Sequence, residues 1–577
     1  MQITESVNGP ERHTWWQAIN WRTANRVVRN LRQRIFRASQ AGDLKRARAL
    51  QKLMLRSRSN ILLSVRRVTQ VNAGKNTPGV DKVVVKTPAA RGKLVDELQT
   101  FTPWKAKPAR RVYIPKANGK LRPLGIPVVA DRCLQAMVKN GLEPFWEARF
   151  EGSSYGFRPG RSCHDAREKI YQLARPNKKK QWVVDADIKG AFDNISHEFL
   201  INAIGPTPGR ELIKGWLKAG YMEGDVFQQT HAGTPQGGVV SPLLANIALH
   251  GMEEALTVRM TLKNGRVITT ADGVKYNKRG HHIGKRAVVK YADDFAVFCE
   301  SPEDAERVIH ILKEWLSERG LTLSPEKTRI VHLSEGFDFL GFNIRHYKNP
   351  TRKTGRTLLI KPSNESVQKI RDRLRDEWYS LRGQSVNAVI KRLNPIIRGW
   401  ANYHRVGVAA RIFNGLDRWL FQRQVRHVKH THPHKPRYWR QAKYWGRLNL
   451  SRNDHWVFGD KRTGTHLLKF SWFSINRHVL VRGAASADDP DLRGYWARRE
   501  AAKVEDLAPS RAKIARHQNG RCPKCAESLF NGEEVQAHHR EWKSEGGKDT
   551  YGNLELVHLF CHQQIHAKGP VSALDRC

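Results

Sequence analysis

Residues 287–299 read AVVKYADDFAVFC. Val288 and Val289 on one side and residues 295–298 on the other flank two adjacent carboxylates, Asp293 and Asp294. Two short apolar runs about a polar pair predict a hairpin with both acids in its turn. Unpaired neighbouring carboxylates raise each other's pKa and destabilise a fold. A divalent cation removes that penalty. Mg²⁺ takes oxygen ligands, usually one or two carboxylates completed by substrate phosphates. A solvated turn is the ordinary reading of a lone Asp-Asp pair, but here the acids are set between apolar arms.

A second acidic strand end lies upstream, in QWVVDADIKGAFDNISH. Residues 182–188 read as a strand, on which Asp185 and Asp187 share one face, so periodicity leaves either as the partner. Three carboxylates from two neighbouring strands can hold two metal ions about 3.5–4 Å apart.

These acids sit in a strongly cationic chain. Lys plus Arg number 101 against 54 Asp plus Glu, a formal charge of +47. Self-repulsion on that scale calls for a polyanion, and nucleic acid is the expected partner. A membrane surface would need an amphipathic anchor, and no apolar run approaches the ~20 residues of a membrane span. The first residues, MQITESVNGPERHTWW, show no secretory signal, which points to a reducing, cytosol-like compartment. Cys133, Cys163 and Cys299 read as core thiols, whereas Cys522, Cys525 and Cys561 cluster with histidines and suggest a metal.

Residues 1–72 hold 15 Lys and Arg and three acids, and residues 15–71 have helical apolar spacing. GKNTPGVDK and IPKANGKLRPLGIP, within 74–127, read as turns between short strands. From about 128 to 345, helical and strand-like segments alternate, giving a mixed α/β body, and residues 305–320 form a helix stopped by Gly320. Residues 381–450 hold 15 Lys and Arg, one acid and nine interleaved aromatics, as expected of a helical RNA-binding module. A boundary is expected at GAASADDPD, residues 483–491.

The C-terminal segment carries CPKC, AHHREW and GGKDTYGNLELVHLFCHQQIH. Cys522 and Cys525 with His558 and Cys561 suit one tetrahedral structural Zn²⁺ site. His562 and His566 share a helix face, and with His538 they make a three-ligand site with an open position, the catalytic arrangement. The adjacent His539 is then free to act as general base on water.

In order along the chain, YGFRPGRSCHDA (155–166), GTPQGGVVSPLLANI (233–247), YADD, GLTLSPEKTRI and FDFLGFNI resemble the blocks of reverse transcriptases. RGWANYHR (398–405) resembles the maturase, or X, domain of group II intron-encoded proteins, and the C-terminal cluster resembles an HNH nuclease of the ββα-metal kind. The resemblance implies a multidomain α/β fold: a right-hand polymerase with fingers and palm, a helical thumb/maturase domain and a small ββα-metal HNH domain. Its expected divisions are a basic helical N-terminal extension (1–72), fingers and palm (73–345), thumb/maturase (346–480), a DNA-binding linker region (481–515) and the HNH domain (516–577).

The resemblance further implies that Asp187, Asp293 and Asp294 hold two Mg²⁺ ions, with Asp185 a bystander and Asp193 a structural turn residue. Phe192 matches the steric gate that selects dNTPs. Lys116 and Arg122 match residues that meet the triphosphate, and Gln236 and Gly237 the block lining the nucleotide and template site. In the HNH module Asn553 matches the residue that orients the base-bearing loop. Many relatives carry Cys-x₂-Cys where this chain has His558 and Cys561, a departure that Cys₃His zinc accommodates. The metal of the nuclease site is Mg²⁺ or Zn²⁺. The implied partners are intron RNA in a lariat ribonucleoprotein, target DNA and dNTPs, with no membrane. The implied place is the bacterial cytosol, associated with the nucleoid, or an organelle. The implied activities are splicing assistance, HNH second-strand nicking and target-primed cDNA synthesis. A pure maturase with a dead polymerase, a defence-associated reverse transcriptase and a plain DNA endonuclease are the competing readings.

Overall fold

A computed structural model describes residues 14–100, 104–115, 119, 121–256 and 286–567. The expected acidic hairpin and acidic strand end meet in one sheet. Its order is Ala287–Tyr291, Asp294–Cys299, Trp182–Asp187 and Arg329–His332, all neighbours antiparallel. Val183, Val184, Phe295, Val297 and Phe298 are fully buried. The sheet is apolar on both faces because helices cover one side and the Phe337–Phe339 and Phe342–Lys348 strands extend the core on the other. Helix Pro302–Ser317, capped by the Ser301 side chain, lies behind it, and Gly320 takes a positive φ beyond its end.

A second sheet joins Ala109–Pro115 to Leu121–Ile126 in an antiparallel pair and to Tyr221–Glu223 in parallel. Between the first helices and this sheet stands a helix, Pro88–Gln99, in a region expected to hold only turns and strands. Thr87 accepts a hydrogen bond from the Ala90 amide and Pro88 opens the first turn, a start signal present in the sequence. This helix and those before residue 72 share one core with Val129–Glu147, so residue 72 lies inside a packed unit and not at its end.

Helices Asn364–Ser380, Val386–His404 and Ala410–Thr431 pack around Leu374, Leu393, Ile397 and Leu416. The block around 398–405 is tied back to the central body. Tyr403 donates to Leu340 O at 2.8 Å, its ring stacks on Phe342, and its own carbonyl oxygen is 2.8 Å from His164 Nε2.

The stretch 483–491 is not a free linker. Asp488 is buried and takes two hydrogen bonds from the Arg32 guanidinium, at 2.8 and 2.7 Å. Arg161 donates to Gly483 O at 2.7 Å. A Cβ on Gly160 would stand 2.5 Å from the Trp496 ring, so only glycine fits where that indole packs. Small, acidic residues signal a linker when solvated, but here they match a buried arginine. Among the described residues no helix is long and apolar enough to cross a membrane.

Candidate active sites

Strand register brings the acids together. Asp187 is the cross-strand partner of Asp294. Tyr291 also pairs with Asp294, so the hairpin turn consists of Ala292 and Asp293, and Asp294 is the first residue of the returning strand, not part of the turn as expected. Ala292 has φ +57°, a conformation strained for alanine but of the hand that tight hairpins need. It is held from outside. The Tyr155 amide donates to Lys290 O at 2.9 Å, and a Cβ on Gly156 would lie 2.3 Å from the Ala292 nitrogen. The YGF block thus clamps the backbone that carries the acidic pair.

The structure separates the two acids that periodicity could not. Asp185 accepts a hydrogen bond from Arg329 Nε at 3.1 Å, on the neighbouring strand. Asp187 faces Asp294 and bonds to Lys327. The Ser324 amide donates to Asp187 O at 2.8 Å and seats the PEKT turn beside the acid. Neither Lys327 nor Arg329 was singled out from the sequence, although both lie in SPEKTRI, two residues apart at a strand entrance.

Partial removal from water, then the Asp293 and Asp187 charges, push the Asp294 carboxyl up to about 7. Asp293 is raised by burial first and by Asp187 next, while Arg122 and Lys327 oppose the shift. Three crowded carboxyl groups, two of them raised in this way, fit a hard divalent cation. The sign is definite: a carboxyl raised above its unfolded value makes the folded state less stable as pH rises from about 4 to about 7. A bound cation reverses this, so Mg²⁺ should raise the melting temperature more at pH 8 than at pH 6. Thermal melts with and without the ion at both pH values check it, and an equal rise at both would refute the assignment of charge.

Phe192 follows Gly190, whose φ is +55°, on the short helix Ala191–Asn194, and its ring lies 6.2 Å from that of Phe157. Gln236 Nε2 reaches Asp193 Oδ2 at 3.3 Å. Gly237 has φ +129°, and a Cβ there would lie 2.7 Å from Gly125 O. The close approach that the glycine pair permits is therefore to the backbone of the Leu121–Ile126 strand, whose Gly125 amide donates to Gln236 O at 2.8 Å. That strand carries the exposed Arg122. Lys116 lies outside the described residues.

In the C-terminal unit Val535–His539 and Leu554–His558 form an antiparallel pair followed by helix Leu559–Ala567. The ligand atoms of Cys522, Cys525, His558 and Cys561 all lie within 4.8 Å of one another, as do those of His538, His562 and His566. His558 turns Nδ1 toward Cys525 Sγ at 3.3 Å, and Nε2 lies 3.1 Å from Ser528 O. A bond from Nε2–H to that carbonyl leaves Nδ1 as the ligating nitrogen. Burial, then His562 and His566, hold His538 down to about 4, and burial lowers His562 as well, which favours the neutral, ligating form of both. Both donor sets fit a metal.

His539 stands apart from the triad, with Nε2 2.6 Å from Asp549 Oδ1. With Nε2–H bonded to a carboxylate, Nδ1 is the basic nitrogen. Lys543 holds the other Asp549 oxygen at 2.8 Å. Asn553 accepts from the Glu541 amide at 2.8 Å and donates to the Glu541 and Lys548 carbonyls, both at 3.0 Å, pinning the loop that follows His539. Asp549 was not anticipated: an acid in a Gly-rich loop has no sequence signal for its partner.

The N-terminal helices clasp the zinc-type knuckle. Arg22 donates to Pro523 O at 2.7 Å and Gln564 donates to Gln17 O at 2.6 Å. Buried Arg66 pairs with Glu533 at 3.0 Å, lies 3.5 Å from Cys561 Sγ and sits over the Trp21 ring. Nearly 500 residues separate these partners, so no local pattern announces them.

Comparison with known proteins follows the same order along the chain. The N-terminal domain of reverse transcriptase matches residues 16–98 and the reverse transcriptase (RNA-dependent DNA polymerase) family residues 114–344. The group II intron maturase-specific domain matches 367–445 and the HNH endonuclease family 522–568. Protein YkfC of Escherichia coli strain K12 is 35% identical over 309 residues, 49% of this chain and 80% of YkfC. Group II intron-encoded protein LtrA of Lactococcus lactis subsp. cremoris is 35% identical over 321 residues, 48% of this chain and 53% of LtrA. A 91 kDa protein in the cob intron of Schizosaccharomyces pombe is 32% identical over 354 residues, 52% of this chain and 43% of that one.

Proposed function

The chain belongs to the group II intron-encoded reverse transcriptase/maturases that carry an HNH endonuclease domain, and on that premise we propose that it copies intron RNA into DNA at a site its nuclease helps to open. The observation that carries the reading is the register of Asp187 against Asp294 with Asp293 in the adjoining turn. The central sheet then acts as palm, the 109–126 hairpin as part of the fingers and the 364–431 helices as thumb. The domain divisions inferred from the sequence stand as part of this reading, with residue 72 and the 483–491 stretch inside packed regions.

Asp187, Asp293 and Asp294 would hold two Mg²⁺ ions, which supply charge stabilisation at the attacking 3′-hydroxyl and at the leaving pyrophosphate. Arg122 and Lys116 would bind the triphosphate, a fork and a point charge suited to phosphate oxygens. Phe192 would exclude a 2′-hydroxyl. Gln236, held by Asp193, and Gly237 would set the floor beneath the template base. Cys522, Cys525, His558 and Cys561 would hold structural Zn²⁺, and His538, His562 and His566 the nuclease metal, Zn²⁺ or Mg²⁺, which polarises the scissile phosphate. His539, oriented by Asp549, would take the proton from the attacking water. The partners are intron RNA, which the basic surface grips while it folds for splicing, target DNA and dNTPs. The bacterial cytosol at the nucleoid is the expected setting, with an organelle the other.

The test is primer extension. Protein given an RNA template, an annealed DNA primer, dNTPs and Mg²⁺ should extend the primer, and failure with and without bound intron RNA would overturn the reading. In the same assay His539→Ala should extend the primer normally. Its nicking of the second DNA strand should fall by 10²-fold or more, the scale of a lost general base. If extension fell with nicking, the two sites would not be independent.

A further inference from the structure

The basic, aromatic stretch serves above only as a general grip on RNA, yet it contains a built cavity. Phe421 and Val425 lie one helical turn apart on Ala410–Thr431 and face outward. With the buried Trp445 and the exposed Trp456 they line a half-open groove of about 470 Å³. The Phe421 ring stands 6.0 Å from each indole, inclined 57° to Trp445 and 80° to Trp456. The domain has a closed core beneath, with Leu416, Leu420 and Phe458 buried, yet Phe421, Val425 and Trp456 are 37%, 43% and 47% exposed. Packing gives no reason for that exposure. A ligand with an apolar face does.

The rim identifies it. Arg426, Lys429, Arg437 and Arg440 surround the opening, and among the described residues no carboxylate lines it. Arg440 Nη1 is withdrawn from water with no hydrogen-bond partner. Gln422 and Gln441 add amides that can both donate and accept. An aromatic slot inside a ring of cations matches a flat base flanked by phosphates. A peptide aromatic would suit the slot, but it brings no charge to answer four cations.

We propose that this cavity takes one unpaired nucleobase of a single strand, its face stacked on Trp456 and its edge against Phe421, with its flanking phosphates on the four basic residues. The proposal rests on the reading of this domain as an RNA grip and adds to it one base at one address. The general grip holds phosphates and is indifferent to any single base. This cavity requires one.

The probe is a short oligocytidine carrying one central 2-aminopurine, prepared as RNA and as DNA, each beside a version with an abasic site at that position. Full-length protein should quench the 2-aminopurine fluorescence and bind the base-bearing strand roughly tenfold more tightly than the abasic one. The ribo and deoxy arms tell which strand supplies the base. Trp456→Ala, at a half-exposed position, should keep its melting temperature and lose both the quenching and the tenfold advantage. Its affinity for the abasic strand, and the salt dependence of that affinity, should stay as in the parent. Arg440→Gln should weaken both strands alike, because it removes a phosphate contact. Equal binding of base-bearing and abasic strands, or an undiminished advantage in Trp456→Ala, would overturn the cavity assignment while leaving the grip. Salt-insensitive binding of every strand would overturn the grip itself.

Discussion

Asp294→Asn should lower RNA-templated DNA synthesis by about a thousandfold or more, with splicing assistance and RNA binding unchanged. The substitution keeps the shape of the side chain and removes its charge. It leaves the strand pairing with Asp187 in place, since that pairing is made by backbone groups. The carboxyl it removes resists ionisation, pushed up to about 7 by its surroundings and by Asp293 and Asp187. The metal-free variant should therefore be at least as stable as the parent at pH 8, and the destabilisation with rising pH should shrink. The large loss in synthesis would then come from metal binding and not from folding. Steady-state and single-turnover primer extension measure the first, and intron splicing at fixed RNA concentration measures the second. On the reading proposed above the RNA grip lies on other elements, chiefly the helices within 364–445, whose core is separate from the palm sheet's. If splicing fell in parallel with synthesis while the melting temperature held, the assignment of the two tasks to separate surfaces would be wrong. A pure maturase predicts no change in either, because there would be no synthesis to lose.

The parts legible in the sequence were those whose signal is local. AVVKYADDFAVFC announces a hairpin because apolar runs and a polar turn lie within thirteen residues. The two Cys/His sets are legible because ligand spacing is itself the signal: CPKC, H-x₂-C and H-x₃-H each place donors one turn or one loop apart. Register is a different kind of information. Asp185 and Asp187 are equivalent by periodicity; the resemblance chose Asp187, and the physical distinction is the pairing of Asp187 with Asp294 and of Asp185 with Arg329. The turn itself was misjudged by one residue, because a tight loop of Ala292 and Asp293 demands a positive φ at an alanine, which local preference disfavours. The Pro88–Gln99 helix was hidden by the Gly- and Pro-rich runs on either side of it, although its cap was in view. The packing of the 483–491 stretch has no local signal: Asp488 is polar in isolation and half of a buried ion pair in the fold, with Arg32 more than 450 residues away.

That long-range packing sets the second large effect. Removing zinc, by a chelator or by Cys525→Ser, should abolish nicking and also loosen the N-terminal helices. Zinc binding in small Cys/His modules contributes about 10–16 kcal/mol of apparent free energy at neutral pH, which is folding free energy for the module. Here the module is not alone. Cys522, Cys561, Ala515 and Leu556 lie in one buried cluster with Trp21, Ile61, Val65 and Val68. Arg66 is buried with its guanidinium between Glu533 and Cys561 Sγ, so loss of the knuckle would leave a cation without its partner inside the protein. Amide exchange should therefore rise in residues 57–71 as well as in 520–567. The second helical core, where Val28, Leu31 and Ile35 meet Val138 and Leu142, contains no residue of the knuckle and should stay protected. Primer extension, which depends on that core and the palm sheet, should persist at moderate temperature and fail earlier on heating. Hydrogen exchange by mass spectrometry on matched zinc-loaded and zinc-free protein reads every part of this. Unchanged protection in residues 57–71 would mean that the two ends of the chain touch without supporting each other. Intact nicking after complete zinc loss would remove the structural role of the Cys₃His set.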